Sequence, residues 1–213
     1  KGYKLVGCDG AGLELRCLAH YMGDPEYTHQ ILHGDIHTAN QQAAGLPTRN
    51  QAKTFIYGFL YGGGDAKIGE IVNGTAKDGK RLKTKFLNNT PALKTLREKV
   101  TSAAEKGWLK GIDKRVLRVR SAHSALNALL QGMGAIVMKY WLIEVANKAD
   151  AEGLRWNPVG NIHDEGQFEV YADDVPRFKE ICEQGFHQVT RILNLKCPVE
   201  GEAMEGDSWY ETH

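Results

Sequence analysis

Apolar residues cluster at β spacing near both ends of the chain and recur at helical spacing between them. Residues 3–8 form a short run of β character that delivers Asp9, and Gly10-Ala11-Gly12 turns the chain. Residues 13–21 then place Leu15, Leu18 and Tyr21 on one side of a helix, with Glu14 and Arg16 more polar. Asp24-Pro25 is an N-cap followed by proline at the first helical position, for a helix ending at Gly34. Asp35 caps a second short helix, 36–44, closed by Gly45. Thr48 and Gln51 stand three apart, the spacing of a capping box, so a helix is expected over 49–61, stopped by Gly62-Gly63-Gly64.

Further helices are expected at 65–72, at 77–87 and from Thr90-Pro91 to Gly107, with a strand at 115–120. Residues 122–151 form a long helix whose apolar face is Leu126, Leu129, Leu130, Met133, Val137, Trp141 and Val145. Residues 161–170 read as strand, tight turn and strand, Asp174 and Pro176 open a helix to about 193, and 196–202 return as a strand. The class is α+β. One antiparallel sheet is built from both ends of the chain, 1–21 and 127–213, and 22–126 form a separate helical lobe.

A length of 213 residues sustains one sizeable domain or two small ones. No apolar run approaches a membrane span, and Lys1-Gly2-Tyr3 does not open a signal peptide. Cys8, Cys17, Cys182 and Cys197 lack CxxC spacing and read as reduced thiols of a cytoplasmic protein. The net charge of +1 is unevenly spread. Between Lys77 and Arg120 the bases far outnumber Asp78, Glu98, Glu105 and Asp113, whereas beyond Asp164 acids such as Asp173, Asp174, Glu200 and Glu205 prevail. That pattern suits a polyanion at one region and cations at another.

Two groups of residues carry candidate chemistry. Arg49, Lys53 and Tyr57 are successive i, i+4 positions and share one stripe, while Phe55, Phe59 and Leu60 fall largely off it. The stripe puts two cations near a helix N-terminus, where the dipole disfavours them, and a bound polyanion relieves the conflict. The bland alternative is a solvated basic face. Asp9 ends the first strand and Asp164 sits at the hairpin tip, so adjacent strands would project both carboxylates from one sheet edge. Such a pair suits Mg²⁺ completed by substrate phosphates, and two ions about 4 Å apart can clamp an in-line phosphoryl transfer. Taken singly, each Asp is also an ordinary turn residue.

Asp9-x-x-x-Leu13-Glu14-Leu15-Arg16, Arg49-x3-Lys53-x3-Tyr57-Gly58-x2-Tyr61-Gly62 and His163-Asp164-Glu165 resemble, in order, motifs A, B and C of family A DNA polymerases. Gly34-Asp35-Ile36-His37-Thr38 and Asn127-x3-Gln131-Gly132 fit further segments of the family, and the wording of 12–20 and 53–62 is nearest to the replicative polymerases of short-tailed bacteriophages. The resemblance implies a right-hand polymerase palm (1–21 and 127–213) with helical fingers (22–126), the thumb and exonuclease domains lying outside a C-terminal fragment. It implies template-directed DNA synthesis in phage replication, in the bacterial host cytoplasm. Asp9, Asp164 and the Gly10 carbonyl would hold two Mg²⁺ ions, and Arg49, Lys53 and His37 would grip the triphosphate, with Lys53 as proton donor to pyrophosphate. Tyr57 would lie against the incoming sugar and base, and Glu14 would be the steric gate against a ribose 2′-OH. Tyr61, Gly62, His123, Asn127, Gln131 and His163 would contact primer and template. The implied partners are primer-template DNA, deoxynucleoside triphosphates and a processivity factor on the rest of the parent chain, with no membrane.

Two departures from the family pattern stand out. Small residues fill Gly10-Ala11-Gly12 where bacterial members carry larger ones, as phage members also do. The chain also starts one strand before motif A. Two rival classes remain open at this point: a single-subunit RNA polymerase, which Glu14 disfavours, and a non-catalytic nucleic-acid-binding module, which the intact Asp pair disfavours.

Overall fold

The computed structural model describes residues 2–213. They divide into two compact units, one of residues 2–17 and 132–213, the other of Leu18–Gln131.

The first unit is built on a four-stranded antiparallel sheet. Its strands are β1 (Tyr3–Gly10), β4 (Trp156–Ile162), β5 (Glu165–Tyr171) and β6 (Gly201–Gly206), in the order β4-β5-β1-β6. β1 is the interior strand that joins the two ends of the chain, pairing Asp9 with Glu165 on one side and with Glu202 on the other. Val6 and Cys8, alternate residues of β1, are fully buried, as period-2 packing of one face requires. Helix α9 (Val175–Ile192) packs on β1 and β6 through Phe178, Ile181, Cys182, Phe186 and Val189, an i, i+3, i+4 stripe. The C-terminal part of α8 (Ala125–Ala151) contributes Trp141, which is fully buried, stacks on Phe186 at 4.9 Å and donates its indole N–H to the Cys182 carbonyl at 2.7 Å.

The second unit is helical: α1 (Leu13–Met22, beyond its first turn), α2 (Pro25–His33), α3 (Ile36–Ala44), α4 (Arg49–Leu60), α5 (Asp65–Glu70), α6 (Ala76–Asn89) and α7 (Pro91–Ala104). Phe55 and Phe59 of α4 meet Phe86 of α6 edge-on at 5.1 and 5.5 Å, which fixes the face α4 buries. The caps are those the residue types demand: Asp24 accepts from the amides of Glu26 and Tyr27, Asp35 from His37, and Gly45 closes α3 at φ 69°.

Two expectations need correction. The last strand is Gly201–Gly206 rather than 196–202, because the stretch before it is occupied as a connector: the Pro198 carbonyl accepts from Arg16 and the Glu200 carbonyl from the Ala11 amide. A strand β2 (Trp108–Lys110), not expected, pairs with β3 (Val116–Arg118), and Leu109 is buried beside Val100 and Leu129. The long helix within 122–151 contains an 18-residue window of mean hydropathy 1.2, and 44% of that window is buried inside the protein. Leu130, Met133, Val137 and Val145, which raise the hydropathy, are buried, whereas Ile143 is exposed.

Gly166, the second residue of β5, lies so close to Trp141 that a Cβ there would sit 2.6 Å from the indole ring. Gly166→Ala is therefore expected to destabilise the protein by about 1–3 kcal/mol through overpacking. Urea unfolding monitored by tryptophan fluorescence measures this, and an unchanged midpoint would contradict it.

Candidate active site

The sheet edge carries the acidic group. Strands β4 and β5 are joined by the two-residue loop His163-Asp164, since Ile162 faces Glu165. His163 adopts φ 56°, the left-handed region, which His, like Asn and Asp, enters more readily than other L residues and which lets the chain reverse in two residues. The Gly10 amide donates to the Asp164 carbonyl at 2.9 Å, which ties the end of β1 to this tip. Asp9 and Asp164 are thereby brought to one edge, as their placement at strand ends predicts. The Asp9 carboxyl is pushed up to about 6 from an ordinary 3.8, first by desolvation, although the side chain is exposed, and then by the charges of Asp164 and Glu165. His213 opposes the shift.

Glu165, next to Asp164, is held differently. It is buried; its Oε1 accepts from the Trp209 indole at 2.9 Å and from the Gln167 amide, and its Oε2 meets the His213 ring at 2.7 Å. Burial alone would raise its pKa, but the hydrogen bonds from Gln167, His213 and Trp209 outweigh it and the net shift is downward. Thr212 Oγ1 donates to Gln167 Oε1 at 3.0 Å, so residues 209–213 close over the turn end of β5. The sequence reading did not find this clamp. The strand face concerned, Glu165, Gln167, Glu169 and Tyr171, reads as a polar outer face, so nothing local announces that Glu165 and Gln167 are buried.

Arg16 was also missed. Only 7% exposed, it donates to the carbonyls of Ala11 (2.8 Å) and Pro198 (2.6 Å) and pairs with Glu200 at 2.9 Å, locking the turn that follows Asp9. Glu14 lies in the first turn of α1 and is half-buried.

In the helical unit, α4 starts at Arg49 as the capping signal predicts. Thr48 Oγ1 accepts from the Gln51 amide at 3.2 Å and donates to the Gln51 side-chain oxygen at 3.2 Å, while Gln51 Nε2 donates to the Ile71 carbonyl at 3.0 Å. Arg49 and Lys53 are exposed and Tyr57 half-buried, the stripe expected. Tyr57 stacks with Tyr61 at 6.4 Å, and its ring lies 6.3 Å from His37 on α3. His37 Nδ1 is buried with no hydrogen-bond partner among the described residues. Its pKa is lowered, chiefly by desolvation and then by Arg49 and Lys53, so the ring is neutral at pH 7. Arg49 forms a bidentate pair with Asp35, a partner that sequence spacing did not reveal.

The C-terminal end of α4 meets the segment leading to α8. Gly62, at φ 76°, approaches the His123 carbonyl so closely that a Cβ would lie 2.9 Å from it. Lys83 fixes this glycine loop, donating to the Gly63 carbonyl at 2.8 Å and pairing with Asp65 at 2.7 Å. Asn127 and Gln131 lie one helical turn apart on α8, with Asn127 Oδ1 buried and unbonded among the described residues. Gly62 and His123 are thus brought together, as are His37, Arg49 and Tyr57 around the facing turns of α3 and α4.

No group of three or more His, Cys, Asp or Glu side chains among the described residues is gathered to hold a metal ion by itself. What the sheet edge supplies is the two carboxylates of Asp9 and Asp164.

An antiparallel sheet with paired acids at one edge, joined in one chain to a helical unit with a cationic helix, is a polymerase fold of palm and fingers. A solved structure described as the POL domain of Pol1 from M. smegmatis, in complex with DNA primer-template and dNTP, matches 100% of this chain and 41% of its own, with a TM-score of 0.88 and 22% identity. The chain belongs to DNA polymerase family A, whose model matches residues 1–211. It is 42% identical over 238 aligned residues to a DNA-directed DNA polymerase of Enterobacteria phage T3, and 41% identical over 238 to that of Escherichia phage T7. All of this chain is covered in both comparisons, yet it spans only 34% of the length of either relative.

Because the Asp9 carboxyl binds its proton more tightly folded than unfolded, the ionised form costs stability above about pH 4, a cost absent below it. In metal-free buffer, Asp9→Asn is expected to raise stability at pH 7.5 by about 1 kcal/mol, solvent screening trimming the larger figure the shift alone would give. Near pH 3.5 the difference should vanish. Thermal unfolding at the two pH values checks this.

Proposed function

We propose that this chain carries the nucleotidyl-transfer centre of a template-directed DNA polymerase acting in phage DNA replication in the host cytoplasm, and that it is a fragment of a longer protein. The observation that carries the reading is the placing of Asp9 and Asp164 at one sheet edge by the bond between the Gly10 amide and the Asp164 carbonyl. The kinship with the T3 and T7 enzymes supports it.

The donor set suits Mg²⁺. Hard oxygen ligands from two carboxylates and the Gly10 carbonyl are what that ion prefers, and the charges of Asp164 and Glu165, which after desolvation raise the Asp9 pKa, are what a divalent cation offsets. Glu165 is committed to Trp209, Gln167 and His213, so Asp9 and Asp164 are the acids available to hold two ions. When bound, the ions supply charge stabilisation for the attacking and leaving oxygens of an in-line displacement.

The remaining work falls to the chain. Arg49 binds the triphosphate of the incoming deoxynucleotide as a fork, Lys53 as a point charge that also gives a proton to the departing pyrophosphate, and neutral His37 through a ring nitrogen. Tyr57 lies against the sugar and base of the nucleotide. Glu14 excludes a ribose 2′-OH. Tyr61, Gly62, His123, Asn127, Gln131 and His163 contact primer and template. A processivity factor engages the parent protein outside these residues.

The test is primer extension with Mg²⁺ and deoxynucleoside triphosphates, using this chain and its parent. Asp164→Ala is expected to abolish extension while circular dichroism stays native, because removing one of two like charges relieves repulsion. Extension at a near-normal rate in that variant, or a preference for ribonucleotides, overturns the reading.

A second expectation separates the two cations of α4. Lys53→Ala should lower the maximal rate of single-turnover incorporation as well as triphosphate affinity, since a proton donor acts in the transition state. Arg49→Ala should act mainly on affinity, since a phosphate clamp serves ground and transition states alike. An unchanged maximal rate for Lys53→Ala removes the proton-donor role.

A further inference from the structure

The basic clamp on α4 has an acidic neighbour that the proposed chemistry does not use. Asp35 Oδ2 accepts from Arg49 Nε at 2.6 Å and Oδ1 accepts from Nη2 at 3.1 Å, a fork-to-fork pair. The same carboxylate caps α3, accepting from the His37 amide at 3.1 Å, and takes a fourth bond from Thr38 Oγ1 at 2.8 Å. Both side chains are substantially exposed, 51% for Arg49 and 41% for Asp35, and an exposed pair of this kind contributes little to stability.

We propose that Asp35 is a positioning residue for the triphosphate clamp: it holds the inner edge of the Arg49 guanidinium and presents the outer edge to phosphate. The proposal rests on the reading of Arg49 as a phosphate-binding group. A guanidinium carries five N–H donors arranged as two forks, one of Nε and Nη2 and one of Nη1 and Nη2. Asp35 occupies the first fork. The second keeps its parallel pair of donors, the geometry that receives two oxygens of one phosphate.

Arginine otherwise loses rotamer freedom when it engages a ligand, and a side chain already tethered avoids that loss at the moment of binding. The tether is itself rigid, because Asp35 is fixed by the first turn of α3 through the His37 amide and by Thr38. One carboxylate thus sets the Arg49 fork and the start of the helix turn that bears His37. Its own pKa is held far below the usual carboxylate range, first by the Arg49 hydrogen bonds and then by Thr38, so the tether is charged at any working pH.

A carboxylate beside a phosphate site has an opposing effect, which is to compete with the anion for the cation. The two effects have opposite signs, and Asp35→Asn separates them, because the amide keeps the cap acceptor and the shape while removing the charged fork. With positioning dominant, Asp35→Asn weakens binding of inorganic tripolyphosphate and of a deoxynucleoside triphosphate by roughly three- to tenfold in calorimetry with Mg²⁺ present. In primer extension KM rises by the same factor and kcat changes less than about twofold. In an Arg49→Ala background, Asp35→Asn adds less than about twofold, since its effect runs through that side chain. Thr38→Val, which loosens the carboxylate without removing its charge, weakens tripolyphosphate binding by about twofold and decides the matter if Asp35→Asn fails to fold.

Unchanged or tighter binding in Asp35→Asn, while Arg49→Ala does weaken it, overturns the positioning role alone. An equal loss with and without Arg49 overturns it too, by showing a general effect on α3. If Arg49→Ala leaves tripolyphosphate binding unchanged, the clamp reading falls and the role of Asp35 falls with it.

Discussion

Carboxylates from opposite ends of the chain do not come together by attraction. In this protein the backbone ladder between β1 and β5 forces the approach, with Asp9 in register with Glu165 and the Gly10 amide bonded to the Asp164 carbonyl. Hydrogen bonds along two strands outweigh the repulsion of like charges at one end of them. The rest of the first unit serves that arrangement. Arg16 ties the turn after Asp9 to the approach to β6, and Gly201 leaves room for the Asp9 carbonyl, which a Cβ would meet at 2.6 Å. Gly166 lets β5 lie against the Trp141 ring, so the strand bearing the hairpin is fixed from below as well as from its edges.

Two acids that are neighbours in sequence are given opposite environments. Asp164 sits in the turn, where its charge acts on Asp9, while Glu165 points into a cage of indole, amide and imidazole groups. The difference follows from position: Asp164 lies in the two-residue turn, whereas Glu165 is the first residue of β5, on the strand face it shares with Gln167. One acid is kept available and the other is consumed in holding the hairpin. A similar division exists on the cationic side. Lys53 is exposed, whereas Arg49 already has a carboxylate on one of its forks.

Most of the architecture was legible because its signals are local. Asp24-Pro25, Asp35 and Thr48 open helices, Gly45 and the Gly62 run close them, and 161–170 declare a hairpin. Legibility failed where distant partners decide the outcome. The final strand is displaced to Gly201–Gly206 because Arg16 and Ala11 claim the carbonyls of the stretch before it, and no pattern within 196–202 announces that. β2 is too short to show alternation and exists through its pairing with β3. At the site, residue types marked Asp9, Asp164 and the α4 stripe. The Glu165 clamp and the Asp35–Arg49 fork needed coordinates, since partners 44 to 48 and 14 positions away leave no periodic trace.

The interior position of β1 also bears on how the molecule assembles. Both of its neighbours, β5 and β6, lie beyond a complete helical unit in the sequence, so no strand can dock on it until a very long loop has been closed. Loop closure costs entropy before any ladder bond repays it, and such pairings form slowly. The helical unit is one continuous stretch rich in local contacts and carries no such delay. The edge that gathers the acids is therefore among the last features to appear as the chain folds, and until then Asp9 and Asp164 are ordinary solvated carboxylates that neither repel one another nor attract a cation.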